Sequence, residues 1–427
     1  MNYTRGSILA LLARGVALVF GTIVAIALAR WLGPADRGSY GVITSLAALI
    51  VVAINLGLGD AQTHFVGREP AGLARATANT LVFSVLVGVA AAIALAAVAA
   101  PLAGEIGAFE DGRTVAIVGV TIPALLMYGF AHSLLTAARA FAASAALIAC
   151  AYILLLVALA ICVAVLGAGL LGALVAWSAA HLVLVVIALV VLAHQGGLAS
   201  PRPAQLLTEL RFGSATWIVS LATLLAGRVA LLIAGAELDP ADVGRYAVAL
   251  TLVELLWYAA ESASVGLGPL VARSTVLETT TPTGEVIRTV LALTGLAGLF
   301  VLAAAEPIVV LMFGADYAGA ADAVRWLVPG VVAFSAFRLL MADLIGRGLP
   351  QRGVTSAIAV ALITTVSSIA LVTQFGIVGG AAATTLGYLA GTALLLRASA
   401  TVTGATVREL IVPQPGDLRR LWSRVRS

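Results

Sequence analysis

Long uncharged apolar stretches alternate along this chain with short connections that carry nearly all of its charge. No charged residue falls within 76–100, 142–194 or 354–396. About 20 residues rising about 1.5 Å each cross a bilayer core of about 30 Å, so each stretch holds one or two membrane-crossing helices. Breaks in the hydropathy predict helices near 8–31, 40–59, 76–100, 114–138, 142–166, 171–193, 214–236, 246–267, 287–305, 323–344, 354–375 and 378–397. The expected fold class is therefore an all-α polytopic membrane protein with about twelve transmembrane helices. The first apolar run contains Ala27-Leu28-Ala29, which mimics a signal-peptidase site. It is also long and interrupted by Arg14, so it reads as a retained first helix.

The connections alternate in charge. One set, together with both ends of the chain, holds sixteen arginines, among them Arg5, Arg68, Arg75, Arg139, Arg202, Arg211, Arg273, Arg288, Arg347 and Arg352. The opposite set holds five arginines (Arg30, Arg37, Arg113, Arg245, Arg325) against ten acids, including Glu105, Glu110, Asp111, Glu237, Asp239, Asp242, Asp316 and Asp322. The positive-inside rule then predicts cytoplasmic N- and C-termini in a bacterial inner membrane. The longest internal connection, about 194–212, has room for one amphipathic helix and none for a catalytic domain.

Composition agrees: 62% of the 427 residues are hydrophobic and 10% charged, against about 45–50% and 25% in a globular domain. Cys150 and Cys162 are twelve residues apart in one predicted helix, about 18 Å along its axis and beyond disulfide reach. Neither a Walker loop, an HExxH motif nor a Cys/His cluster is present, so the expectation is a non-enzyme with no cofactor and no metal. Transport energy would come from a proton or sodium gradient, the membrane potential or the cargo's own gradient.

The chain repeats itself at an offset of 206 residues. LGPADRGSYGVI (32–43) aligns with LDPADVGRYAVA (238–249), pairing Pro34/Pro240, Asp36/Asp242, Gly38/Gly244 and Tyr40/Tyr246, and the same offset pairs Pro101/Pro307 and Pro123/Pro329. Six helices per half give both halves one orientation, a parallel repeat with a central cavity expected between two six-helix bundles, 1–200 and 201–400. The paired turn reads as Pro closing one helix, Asp capping the next and Gly permitting the bend. Residues 401–427 end in DLRRLWSRVRS, where Leu418, Leu421, Trp422 and Val425 recur at helical spacing among arginines. This basic amphipathic tail suits anionic membrane lipids, and a chain otherwise embedded in lipid is a poor nucleic-acid binder.

The run ARWLGPADRGSYGVITSLAALIVVAINLGLGDAQTHFVGR (29–68), with MFGADYAGAADAVRWLVPG (312–330), resembles the polysaccharide flippases of the multidrug/oligosaccharidyl-lipid/polysaccharide exporter superfamily. The resemblance implies alternating access and a cargo of undecaprenyl-pyrophosphate-linked glycan, with other polysaccharide-assembly proteins as further partners. A multidrug and toxin extrusion antiporter is the nearer rival and a membrane glycan polymerase or ligase the more distant one. A major-facilitator transporter is disfavoured because 60–75 lacks that family's loop signature.

A charge at the bilayer centre costs about 2.5–3.5 kcal/mol on insertion scales, so each one needs a partner or a watery cavity. Arg228 and Glu254 fall at matching depth in neighbouring predicted helices and are expected to pair, either as a static clamp or as a lock opened by cargo or a proton. Glu261 lies two turns beyond Glu254 and takes the repeat position of Asn55, so Glu254, Glu261 and Asn55 are the expected coupling or ion-pair residues. Arg14, Arg228 and Arg338 are the expected pyrophosphate-binding residues, since arginine holds phosphate oxygens bidentately; simple pairing of Arg338 with Glu261 is the other reading. Asp343 and Arg347 suit an interfacial i,i+4 pair, and His132 and His181 suit helix packing.

Overall fold

A computed structural model describes residues 3–69, 72–105, 112–197, 199–272, 276–412 and 414, with side chains described for all of these except 3–14, 99–105, 203–204, 215, 258–272 and 276–283. Every element among the described residues is helical: α1 Tyr3–Asn55, α2 Leu58–Arg68, α3 Leu73–Glu105, α4 Gly112–Ala137, α5 Phe141–Leu159, α6 Gly169–Gly196, α7 Pro203–Glu237, α8 Pro240–Ala272, α9 Val276–Ala303, α10 Ala305–Phe313, α11 Ala320–Gly346, α12 Gln351–Thr403 and α13 Val407–Ile411. Nine of these are long and apolar enough to cross a membrane. Two of the nine, α1 and α12, contain a single non-helical glycine each, Gly33 and Gly376, that divides them into two spanning segments. With α8, the twelve segments expected from hydropathy all have a helical counterpart, and the protein is a multi-pass membrane protein.

Burial is inverted relative to a water-soluble bundle. On α3, Val82, Val85, Leu86, Val89 and Ile93 are exposed at helical spacing, as are Leu293, Leu296 and Phe300 on α9 and Leu362, Val366 and Ile369 on α12. Inside lie Thr77, Thr80, Ser84, Thr121, Ser178, Thr364, Ser368, Thr384 and Thr392. Several of these hydroxyls return to helical carbonyls, as Thr77 Oγ1 does to Leu73 O at 2.9 Å, or bridge helices, as Thr121 Oγ1 does to Ser178 Oγ at 2.8 Å. Only a solvent as apolar as the side chains facing it permits this distribution.

The chain forms two compact units, one of residues 1–224 with 238–244, the other of 225–237 with 245–427. In the first, α1 packs on α5 and α6, α3 on α4, and α4 on α6; in the second, α11 packs on α12 and α9. A π-helical segment, Ala160–Val165, extends α5. Within α12, Gly387 and Gly391 lie against Thr364 and Val360, so its two segments pack side by side about Gly376.

Four details depart from the sequence reading. The expected helix 40–59 stops at Asn55, because Leu56 (φ 50°) and Gly57 (φ 73°) turn the chain into the amphipathic α2. The apolar run around Val309–Phe313 forms α10, whose Pro307 sits in the first turn where it breaks no helical hydrogen bond. The amphipathic stretch after 202 is the first turns of α7 rather than a separate helix. In the repeated turn, Gly33 (φ 75°, ψ 173°), not Gly38, makes the bend, and Asp36 caps no helix of its own: its Oδ2 accepts the Leu170 N–H at the start of α6, 3.1 Å away.

Gly38 and its repeat counterpart Gly244 have another reason to lack a side chain. Both fall in the first unit, where a Cβ on Gly38 would strike the Pro240 carbonyl oxygen and one on Gly244 the Pro34 carbonyl oxygen. The two copies of the turn therefore touch backbone to backbone. Gly244→Ala should lower the thermal midpoint in detergent by the equivalent of about 1–3 kcal/mol, as overpacking does. Gly295→Ala, placed in open space, should not. Equal midpoints for the two variants contradict the tight contact.

Candidate functional site

The second unit gathers its intramembrane charges beside aromatic rings. Arg228 on α7 and Glu254 on α8 meet at 3.0 Å (Nη2 to Oε1), with 29% and 25% of their side chains exposed. One turn on from Glu254, the Trp257 ring carries the Arg338 guanidinium 5.4 Å from its centroid, a cation–π geometry. Trp257 also contacts Phe334 (5.7 Å between centroids), which stacks on Tyr388 at 4.1 Å and on Phe337 at 5.1 Å. Tyr246 Oη and Thr384 Oγ1 are 3.3 Å apart. The space among Glu254, Trp257, Thr384 and Tyr388 is only ≈ 10 Å³, about one water at most.

The structure thus brings Arg228 to Glu254 and sets Arg338 on Trp257. The side chains of Arg14 and Glu261 lie outside the described residues, as do residues 415–427 of the basic tail. Asn55 belongs to the first unit, where its Oδ1 accepts the Gly57 N–H at 2.8 Å. Asp343 and Arg347 form a two-point pair (2.7 and 3.0 Å), but with 0% and 5% of their side chains exposed it is buried, not at an aqueous interface. His132 Nδ1 is 2.8 Å from Ser144 Oγ, and His181 Nδ1 is 2.7 Å from Trp177 O, with Tyr128 edge-on to the His181 ring. Trp257, Tyr388, Tyr246 and Thr384 escaped a reading that looked only for charge. The signal was there for two of them: Trp257 is three residues from Glu254, and Tyr246 is the repeat partner of Tyr40.

A second polar cluster sits where α7 begins. Leu206 and Leu210 pack on Leu58, Phe83, Leu126 and Phe130, which turns Glu209 inward until 1% of it is exposed. Gln205 Nε2 donates to Glu209 Oε1 at 2.9 Å, and the fully buried Gln62 adjoins the same carboxyl. Burial pushes the Glu209 carboxyl above its usual value, opposed by the Gln205 and Gln62 amides. No described residue forms an ion pair with it.

Residues 3–265 match the family described as polysaccharide biosynthesis protein. The chain belongs to that family. No curated protein matches its sequence. Among solved structures, the family member resembles the lipid II flippase MurJ in its inward closed conformation, at 13% identity and TM-score 0.77, over 97% of this chain and 92% of that one. It also resembles an inward-facing multidrug resistance MATE family transporter of the MOP superfamily (15% identity, TM-score 0.72, 93% and 98% covered). A third is a MOP superfamily transporter from Pyrococcus furiosus (15% identity, TM-score 0.64, 94% and 96% covered). At these identities the likeness is one of fold.

Two measurements probe the clusters. Removing one member of the Arg228–Glu254 pair leaves a charge in a mostly buried place, so Arg228→Leu and Glu254→Leu should each cost about 1–3 kcal/mol of thermal stability, and the double variant less than their sum; additive losses would show that the two side chains do not interact. For Glu209, a raised folded value means that stability is full below the ordinary 4.5 and is lost as pH rises through the folded value. The thermal midpoint of the parent should therefore fall more between pH 5 and pH 8 than that of Glu209→Gln. Parallel pH profiles contradict a buried, unpaired carboxyl.

Proposed function

We propose that this protein is a flippase that moves an undecaprenyl-pyrophosphate-linked glycan across the bacterial cytoplasmic membrane by alternating access, with both termini in the cytoplasm. The observation that supports this most is the family match over residues 3–265, on a chain whose fold is shared with a lipid II flippase. In this reading Arg338, Arg228 and Arg14 attract the pyrophosphate. Arg338 rests on Trp257, whose aromatic face helps to position the guanidinium.

Arg228 is held by Glu254 at 3.0 Å, and a pyrophosphate competes for the same donors. Releasing Glu254 then offers it to a proton, which gives the pair, with Glu261 and Asn55, a role in coupling transport to an ion gradient. The ≈ 10 Å³ beside the pair requires the helices around it to part before cargo enters. The fold is equally that of a multidrug transporter, but cationic drugs gain nothing from arginines at the binding face.

The test is complementation. In a bacterium lacking the gene, undecaprenyl-linked glycan should accumulate on the cytoplasmic leaflet, and the intact gene should restore glycan at the surface. Arg338→Ala, at equal expression, should restore about tenfold less, the loss expected for one charge-assisted hydrogen-bonding group. Full restoration by Arg338→Ala removes the phosphate role, and an unchanged lipid-linked pool in the deletion strain removes the flippase reading.

A further inference from the structure

The first unit contains a cavity of ≈ 180 Å³ that the charge-based reading passes over. Its wall carries Asn55, Asp60, Ser133, Trp217 and Ser220 among apolar groups such as Phe130. Gly129 lines it with open space where a side chain would stand, and a Cβ on Gly59 would press on the Ser133 hydroxyl. A cavity of about 150 Å³ holds one six-membered ring, so this one has room for a single ring and not for a chain of them.

Its chemistry is that of a polyhydroxylated ligand. Trp217 is fixed by its Nε1, which donates to Val52 O at 2.9 Å. That bond uses the indole's only donor and leaves a rigid aromatic face. The Asn55 Oδ1 accepts the Gly57 N–H at 2.8 Å, which leaves its amide nitrogen as the donor toward the cavity. The Ser220 hydroxyl can both donate and accept, and Ser133, which donates to Gly129 O at 3.3 Å, keeps its oxygen as an acceptor. Asp60 stands in α2, outside the spanning segments, beside the Thr216 hydroxyl; burial raises its carboxyl above the usual value. Its carboxyl oxygens on the cavity wall can accept from sugar hydroxyls. A permanent cation would also suit an acid and a tryptophan, but it would leave the Asn55 amide and the Ser133 and Ser220 hydroxyls that line the same cavity without a hydrogen-bonding role.

We propose that this cavity is a sugar subsite: it receives one uncharged pyranose ring of the cargo glycan, with Asp60 and Asn55 holding its hydroxyls and the Trp217 face against its C–H side. The inference rests on the flippase reading and adds to it a place, separate from the arginines of the second unit, that reads the glycan rather than the phosphate.

The test uses the full chain in detergent and three soluble probes, the methyl glycosides of glucose, galactose and N-acetylglucosamine, read by saturation-transfer NMR. At least one should show transfer to its ring protons. That signal should drop by about fivefold or more, the effect of about one hydrogen bond, in Asp60→Leu and in Ser220→Leu. Ser220→Leu fills the cavity without touching a charge or the Trp217 anchor, and it reports on the site even if Asp60→Leu misfolds. Gly295→Ala, in open space in the second unit, should keep the signal. Absence of transfer from all three glycosides, or transfer unaltered in both variants, overturns the subsite. So does Asp60-dependent transfer from tetramethylammonium in their place. Translocation of a lipid-linked glycan without glycoside binding sinks the subsite alone, whereas glycoside binding by a protein that translocates no such lipid sinks the flippase reading alone.

Discussion

The hydrocarbon core of a bilayer supplies no hydrogen bonds, and that constraint shapes everything else in this protein. A backbone crossing it must satisfy its own N–H and C=O groups, which leaves helices as the economical solution for a chain of this composition. Lipid is as apolar as leucine, so burying large apolar side chains gives no advantage. The interior can instead be built from small and hydroxylated residues that let helices approach closely. The exposed valines and leucines of α3 and the buried threonines of α12 follow from that one condition. The backbone contact of Gly38 and Gly244 with the opposite copies of the repeated turn carries it to its limit.

The same constraint makes polar groups expensive and therefore informative. Arg228 and Glu254 meet, Arg338 finds an aromatic face, and Asp343 takes a two-point grip on Arg347. Glu209 is different, because its neighbours are amides and it is almost wholly buried. The protein accommodates these charges by pairing and by a ring face, and it surrounds Glu209 with amides. Each leaves a distinct physical signature. Pairs and ring contacts can be opened by a competing anion. A buried carboxyl whose proton affinity is raised responds to pH.

Much of the architecture was legible in the sequence, because membrane helices announce themselves by length and lack of charge. The twelve spans, the repeat at offset 206 and the meeting of Arg228 with Glu254 came from position and depth alone. Other features were not legible, for identifiable reasons. Nothing in 32–43 distinguishes Gly33 as the residue that bends from Gly38 as the residue that must be small, since both are glycine and only the three-dimensional neighbour separates them. The ring stack of Phe334 with Tyr388 joins residues 54 positions apart, and the cavity of Asn55, Asp60 and Trp217 draws on α1, α2 and α7. A single sequence does not encode such pairings in any local pattern. Asp36, which looked like a local cap, shows the limit: its partner Leu170 is 134 residues away.

In the proposed function a bulky anionic lipid headgroup crosses the membrane through a fold shared with a lipid II flippase and a multidrug transporter. The most direct measurement is reconstitution of the purified chain into liposomes that contain a fluorescently tagged undecaprenyl-pyrophosphoryl saccharide, followed by a membrane-impermeant quencher. The account predicts that the label protected in the inner leaflet becomes accessible only in vesicles that contain the protein, and that a lipophilic cation in the same vesicles is left in place. A protected fraction that stays unchanged while the cation is moved would contradict it.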